Sequence, residues 1–308
     1  MSNHRAILIA GPTASGKSAV ALALAEQHGG VIINADSMQV YSDLRILSAR
    51  PTDEDEALAP HALYGFVPAA NAYSVGQWLG DVKGAMADAA RQGRMPIITG
   101  GTGLYFKALL EGLSPVPDIP DDIRGHWREL AREKDAEDLH SLLRARDPQM
   151  AARLRPSDPQ RVIRALEVLD ATGRSLAEWQ SEPGEPLLRE EQVVRVFVEP
   201  PRETLYERID KRFDTMLEEG ALEEVKSLAE QKLDSGLPAM RALGVKSLLA
   251  LLNGDIERDE AIDRAKTETR RYAKRQLTWA KSNMIAWNRV FVKDSESMLA
   301  KIVSFIDV

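Results

Sequence analysis

"GPTASGKS", residues 11–18, follows directly on the apolar run "AILIA" at 6–10. Glycines stand at both ends of its first six residues, and a Lys-Ser pair closes it. Gly11, Pro12, Thr13, Ala14, Ser15, Gly16, Lys17 and Ser18 read together as a phosphate cradle. The glycines let backbone N–H groups turn toward an anion, and a helix starting at Lys17 adds the favourable end of its dipole. Lys17 reaches terminal phosphate oxygens, and the Ser18 hydroxyl is placed to ligate Mg²⁺. The competing reading is an ordinary glycine-rich turn. A cradle needs a strand before it and a helix after it, and the sequence offers both. The pattern asks for a diphosphate or a longer phosphate chain and is silent about a nucleotide.

The same alternation continues outward. "VIIN" (31–34) and "MPIIT" (95–99) are short apolar runs without period-two alternation, as strands covered on both faces are. An Ala/Leu-rich helix is expected over 17–28, stopped by Gly29-Gly30, and another over 75–92, capped by Ser74. Strand and helix in turn imply a doubly wound parallel α/β sheet. Pro-rich stretches at 114–120 and 182–186 bracket a polar, Arg-rich segment of helical period, with "SDPQR" (157–161) opening one helix. "VVRVFVEP" (193–200) returns as a strand. The expected layout is a core of 1–118 plus 185–308 with an all-helical insertion at 119–184.

The 308-residue chain has no cysteine, which excludes disulfides, thiol catalysis and cysteine-ligated zinc. No run of about 18 apolar residues or secretory leader is seen, so a cytoplasmic protein without a membrane segment is expected. A net charge of −7 argues against nucleic acid, yet residues 264–281 carry seven cations against one anion, Glu268. Exposed charges beyond about 8–10 Å are screened in physiological salt, so this local excess keeps an RNA partner open. The bland reading is a solvated helix face.

Other candidates fall just past strand ends, where ligands gather in such sheets. Asp36, in "NADSMQVY" (34–41), either ligates Mg²⁺, acts as a general base or caps a loop. Ser37 and Gln39 are candidates for a base edge, since Gln matches the donor–acceptor pair of adenine. In "TGGTGLY" (99–105), Thr102 is placed to donate to a phosphate oxygen. Arg212 falls within the apolar stripe of Leu205, Ile209 and Met216, where a cation needs an anion: a diphosphate, a buried carboxylate or an escape to water. Tyr272 and Trp279, a heptad apart, are expected to pack inward.

Together "GPTASGKS", "INADSMQVY", "YSVGQW", "GGTGLYFKALLEG", "DPQRVIRALEV", "FDTMLEEGALEEV" and "YAKRQLTW" resemble, in order and over nearly the whole chain, the tRNA dimethylallyltransferase (tRNA isopentenyltransferase) family of bacterial type. The resemblance implies a P-loop NTPase-like core with a helical insertion that contacts tRNA. It implies transfer of a dimethylallyl group from dimethylallyl diphosphate to N6 of adenosine at position 37 of tRNA, releasing diphosphate. Thr13 to Ser18 would hold the diphosphate, with Mg²⁺ at Ser18, and Asp36 would take the N6 proton. Thr102, Arg212 and Lys17 would stabilise the leaving group. Contacts to tRNA would come from Asp36, Ser37, Met38 and Gln39. A second group is Gln160, Arg161, Val162, Ile163 and Arg164. A third is Arg241, Ala242, Leu243, Gly244, Val245 and Lys246. A fourth is Lys274, Arg275, Gln276, Leu277, Thr278, Trp279, Ala280 and Lys281. Thr102 and Arg124 would lie near the target base. The expected partners are the anticodon stem-loop of tRNA and dimethylallyl diphosphate, with the chain acting as a monomer and Mg²⁺ as cofactor.

Alternatives remain open. A small-molecule or nucleotide kinase would share the phosphate loop but leave the basic segment and Asp36 unexplained. A prenyltransferase acting on free adenine nucleotides would share the core without needing that segment. A non-catalytic RNA-binding protein would leave Asp36 and Arg212 without a task.

Overall fold

A computed structural model describes residues 5–291 and 295–306. The chain divides into two compact units, Met1–Leu110 with Leu187–Val308, and Glu111–Pro186.

The larger unit is built on six strands: β1 (Ala6–Ala10), β2 (Val31–Asn34), β3 (His61–Ala62), β4 (Pro96–Gly100), β5 (Val193–Val198) and β6 (Asn288–Val290). Their order across the sheet is β3-β2-β4-β1-β5-β6, and every pairing is parallel. The two short edge strands, β3 and β6, were not marked in the sequence. Along β1, Ile7 and Ile9 face one helical layer while Leu8 and Ala10 face the other. All five residues of β1 are buried, which is why the run reads as continuous rather than alternating.

β1 is followed by the helix Lys17–His28, and β4 by the helix Gly103–Glu111. Val20 and Leu24 of the first pack with Ile7, Ile9 and Ile97. Tyr105, Phe106 and Leu109 of the second pack with Leu8, Ala10 and Ile98 on the opposite face. Two adjacent strands thus send their helices to opposite faces. Between the carboxyl ends of such strands a crevice opens. Register sets its depth: Ala10 lies beside Gly100, and Thr99 beside Asn34. The loops after β1, β2 and β4 therefore begin at one level.

A separate apolar cluster holds the crevice's outer wall. Tyr41, Leu44 and Leu47 pack with Phe213, Met216, Val225, Val245 and Leu248. Its polar anchor is Glu224, whose carboxylate accepts the backbone N–H groups of Arg45 (2.5 Å), Ile46 (2.7 Å) and Leu47 (2.9 Å).

The smaller unit is helical. Trp127, Leu139, Leu143, Val162 and Leu166 form its core, drawn from the helices Asp121–Glu133, Ala136–Arg146 and Pro159–Thr172. Asp158 caps the last of these by accepting the Arg161 N–H, with Pro159 in the first turn. Trp127 donates its indole N–H to Asp170 (2.7 Å), which also pairs with Arg146.

Replacing Glu224 strands three N–H donors at once. Glu224→Ala is expected to cost about 3 kcal/mol and lower the thermal midpoint by several degrees, with Glu224→Gln losing clearly less because it keeps an acceptor. Equal midpoints for wild type and Glu224→Ala in thermal unfolding would show that the 45–47 turn does not rely on this carboxylate.

Candidate active site

The phosphate loop takes its shape from left-handed residues. Ala14 has φ 60° and Gly16 φ 92°, and Gly16 stands as the N-cap of Lys17–His28. Such a turn directs N–H groups into a concavity suited to an anion. A non-glycine residue in this region is strained by roughly 1 kcal/mol, which surrounding structure must hold. Gly11 is needed for close approach: a Cβ there would come within 2.8 Å of both the Val198 carbonyl and the Ser15 hydroxyl. That Ser15 hydroxyl is buried and makes no hydrogen bond among the described residues. A buried hydroxyl left unpaired in a loop of this shape fits an anion that supplies its acceptor.

Two cations stand over the loop. The Lys17 ammonium donates to the Pro12 carbonyl (3.3 Å). Burial lowers its pKa to about 8; Asp36 opposes that shift, and Arg212 adds to it. Arg212 lies among Leu205, Ile209, Phe213 and Met216 on the helix Arg202–Glu218, as the stripe requires. It shares a cavity of about 40 Å³ with Thr13, Ala14 and Leu243. Among the described residues it has no ion pair or hydrogen bond. Burial pulls its pKa down and Asp36 pulls it back. Of the three fates open to it in the sequence, an internal carboxylate partner is absent. The Ser18 hydroxyl is exposed and makes no hydrogen bond among the described residues. No group of three or more His, Asp or Glu able to hold a metal occurs among them.

Asp36 is set by Asn34, a residue the sequence reading passed over. The Asn34 side chain accepts the Asp36 N–H (2.7 Å) and donates to the carbonyls of Asp36 and Leu63 (both 3.0 Å). Trp78 donates its indole N–H to the Asn34 carbonyl (2.8 Å). A fully buried Asn at a strand end must find such partners, and that is the signal by which it could have been found. One Asp36 oxygen, Oδ1, accepts the Met38 N–H (3.0 Å). The other, Oδ2, accepts no hydrogen bond among the described residues. It lies 3.2 Å from where a Cβ of Gly101 would stand.

Thr102 is brought to the same place. Its N–H donates to the Ala35 carbonyl (3.2 Å), and its Oγ1 accepts the Ser37 N–H (2.9 Å). The Thr102 proton is directed at the Ser37 hydroxyl over 3.2 Å, so donation to a phosphate requires it to turn. Gly100 is obligatory, because a Cβ there would collide with the Ala35 backbone. Gln39 is occupied elsewhere: both amide protons go to carbonyls, of Ser48 (3.0 Å) and Ala49 (2.8 Å). Bidentate pairing with adenine needs one of those protons, and here they hold the 48–49 turn.

The long helix Arg258–Asn283 closes the crevice from above β1 and β4. Its Gln276 side chain accepts the Thr13 N–H (2.9 Å) and donates to the Gly101 carbonyl (2.9 Å). Trp279 lies against Gly103, leaving no room for a side chain there. Tyr272 and Trp279 are only partly buried and, with Leu104, Phe106, Phe197 and Met284, line a cavity of about 230 Å³ beside Gly11 and Thr102. Trp279 packs inward as expected, against the apolar cluster that holds Phe106, Ala280 and Met284, and both rings also line the cavity.

The basic run is thinner than its count. Arg264 pairs with Glu260, Lys266 with Asp214 and Arg270 with Asp210, each within 2.6 Å. Arg271, Lys274 and Lys281 stay exposed and unpaired among the described residues, and Arg275 lies over the Tyr272 ring. In the other expected RNA segments, Arg241, Lys246, Gln160 and Arg161 are exposed, with Arg161 paired to Asp158. The side chains of Val162, Ala242 and Val245 are buried and are not presented to a ligand, while Ala280, also buried, lines the cavity beside Trp279. Arg124, in the smaller unit, donates to the Ile119 carbonyl (3.4 Å).

The sequence signature of the family described as IPP transferase matches residues 39–283, and that described as isopentenyl transferase matches 4–59. The chain is 56% identical over 284 residues to a protein of Beijerinckia indica named tRNA dimethylallyltransferase, covering 92% of this chain and 94% of the relative. It is 51% identical over 304 residues to one of the same name from Parvibaculum lavamentivorans, covering 98% and 96%. Its structure is similar to the full-length tRNA isopentenylpyrophosphate transferase of Bacillus halodurans, with a TM-score of 0.71 and 32% identity over 99% of this chain and 96% of that one. It is also similar to a eukaryotic dimethylallyltransferase acting on tRNA, with a TM-score of 0.74 and 31% identity over 89% of this chain and 69% of that one. Matched over most of its length by the family signature and more than half identical to named members, the chain belongs to the IPP transferase family, the bacterial-type tRNA dimethylallyltransferases.

Proposed function

We propose that this enzyme transfers a dimethylallyl group from dimethylallyl diphosphate to N6 of the adenosine at position 37 of tRNA, acting as a monomer in the cytoplasm. Family membership carries the transferase class and the pairing of a dimethylallyl donor with tRNA. One observation supports the assignment of roles: two desolvated cations, Lys17 and Arg212, make no direct ion pair among the described residues and lie within electrostatic reach of a carboxylate, Asp36, that keeps one oxygen free. The cations suit the leaving group and the carboxylate suits the nucleophile.

The exocyclic amine of adenine is a weak nucleophile because its lone pair is shared with the ring. Asp36 Oδ2 would take the N6 proton as the new N–C bond forms. The C–O bond to diphosphate breaks, and the departing charge would be met by Lys17, Arg212, the Ser15 hydroxyl and the loop N–H groups. Ser18 would hold Mg²⁺ together with diphosphate oxygens and water, an arrangement this small ion favours over an all-protein cage. When bound, Mg²⁺ offsets diphosphate charge. The apolar cavity lined by Leu104, Phe106 and Trp279 suits a flat or hydrocarbon group, and water would be kept from competing once both substrates fill the site. The adenine must leave its stack to reach this depth. Arg271, Lys274, Arg275 and Lys281 would meet RNA phosphates, and the insertion would contact tRNA through Arg124, Gln160 and Arg161.

Radiolabelled dimethylallyl diphosphate with tRNA or with AMP tests the reading directly: label in tRNA alone is expected, and label in AMP would move the chain to the free-nucleotide class. Asp36→Ala is expected to cut transfer by roughly 10²–10⁴-fold while tRNA still binds. Near-normal turnover would remove Asp36 from the chemistry. Lys274→Ala with Arg275→Ala is expected to weaken tRNA binding and flatten the slope of log affinity against log salt by up to about 1.8, which filter binding at several salt concentrations measures. Lys17 binds diphosphate in its charged form, so kcat/KM for dimethylallyl diphosphate is expected to fall as pH rises through about 8. A profile flat from pH 7 to 9 would show that Lys17 stays charged without ligand.

A further inference from the structure

The loops after β1 and β4 must hold a fixed relation for the reaction proposed above, since one carries the leaving group and the other flanks the base. Sheet pairing fixes them only as far as Ala10 beside Gly100. Beyond that register, the sole hydrogen-bonded link between residues 11–16 and 101–103 among the described residues is the Gln276 side chain. Its carbonyl accepts the Thr13 N–H and its amide donates to the Gly101 carbonyl, each at 2.9 Å. We propose that Gln276 is a positioning residue for the transfer reaction: its amide staples the diphosphate loop to the Asp36–Thr102 side of the crevice. The inference rests on the transferase reading.

Three further features bear on it. A Cβ at Gly101 would run into the Gln276 amide and would stand 3.2 Å from Asp36 Oδ2. The staple and the free oxygen of the base therefore flank one glycine, and a shift of the staple reaches the base through it. The Thr13 N–H, spent on Gln276, is withdrawn from the donors offered to phosphate, so the staple also selects which loop amides remain. Lastly, the residue sits on the helix that presents Lys274, Arg275 and Lys281. RNA bound along that helix loads the same element that sets the distance from leaving group to base. An RNA contact through the Gln276 side chain would have to compete with two bonds already made.

The geometry predicts a defect in turnover rather than in RNA affinity. A displacement of about 1 Å at reacting groups can cost on the order of 10²-fold. Gln276→Met keeps the length and loses both bonds. It is expected to lower kcat by roughly 10–100-fold at saturating substrates, with the tRNA Kd and its salt slope within about twofold of wild type. Gln276→Glu supplies an internal rescue. Ionised, it accepts from Thr13 but faces the Gly101 carbonyl with no proton. Protonated, it has both the acceptor and an O–H donor. The ratio of Gln276→Glu to wild-type kcat is therefore expected to rise as pH falls from 8 to 5.5. A generally loosened fold gives no such pH-dependent ratio.

Turnover of Gln276→Met equal to wild type would overturn the staple. So would a loss confined to the tRNA Kd, which would make Gln276 an RNA contact. A flat Gln276→Glu ratio would overturn it also, and this arm decides the matter if the Met variant does not fold. A wild-type chain that transfers no label to tRNA would instead overturn the transferase reading, and this role with it.

Discussion

The parallel pairing of β1 with β4 is the constraint on which the site depends. The register that sets Ala10 beside Gly100 makes the two strands end together. The helices that follow are driven to opposite faces by their apolar sides, Val20 and Leu24 on one and Phe106 and Leu109 on the other. Right-handed crossovers leave little choice about this once the strand order is set. The crevice is thus a product of chain topology, present before any catalytic residue is considered. Asn34 then brings the third loop to it. Its buried amide cannot be left unpaired, and the bonds that satisfy it bend the backbone so that Asp36 turns inward.

Charge at this crevice is arranged at a cost to the free protein. Among the described residues Lys17 and Arg212 are desolvated with no ion pair, only the more distant Asp36 carboxylate opposing that cost, and Ser15 buries a hydroxyl with no acceptor. A chain selected for stability alone would pair or expose such groups. Their combined demand is met by a ligand carrying several negative charges and many acceptor oxygens. Preorganised in this way, the groups would need little rearrangement if, as proposed, charge develops beside them on a departing diphosphate. The same cations do not neutralise Asp36 by direct contact, which leaves its Oδ2 available for a proton.

The helix Arg258–Asn283 joins the two halves of the problem. Its outward side carries the exposed cations Arg271, Lys274 and Lys281. Its inward side carries Gln276 over Gly101 and Trp279 over Gly103. Gly100, Gly101 and Gly103 are thus accounted for separately: the first by the Ala35 backbone, the second by an amide, the third by an indole ring. A single helix with exposed cations on one side and contacts to the loops after β1 and β4 on the other would need no long pathway to relate the proposed RNA binding to the proposed chemistry.

Much of this was legible without coordinates. The continuous apolar runs, the glycines and the Lys-Ser pair specify strand, phosphate loop and helix, because backbone freedom and covered strands are local properties of the chain. Helical period alone puts Arg212 inside an apolar stripe. The stretch "SDPQR" already marks the start of a helix, found at Pro159. What the sequence could not decide was partnership. Seven cations in 264–281 read as one field, yet Asp210, Asp214 and Glu260 neutralise three of them, two of those carboxylates lying on another helix. Gln39 reads as a base reader until its protons are found on Ser48 and Ala49. Gln276 reads as one polar residue in a basic run until its amide is found between Thr13 and Gly101. The sequence by itself determined the fold class, the inner strands with their helices, and the family. Only the tertiary structure decided which polar groups are spent and which are free, because hydrogen bonds and ion pairs form between atoms that meet in space, whatever their separation along the chain.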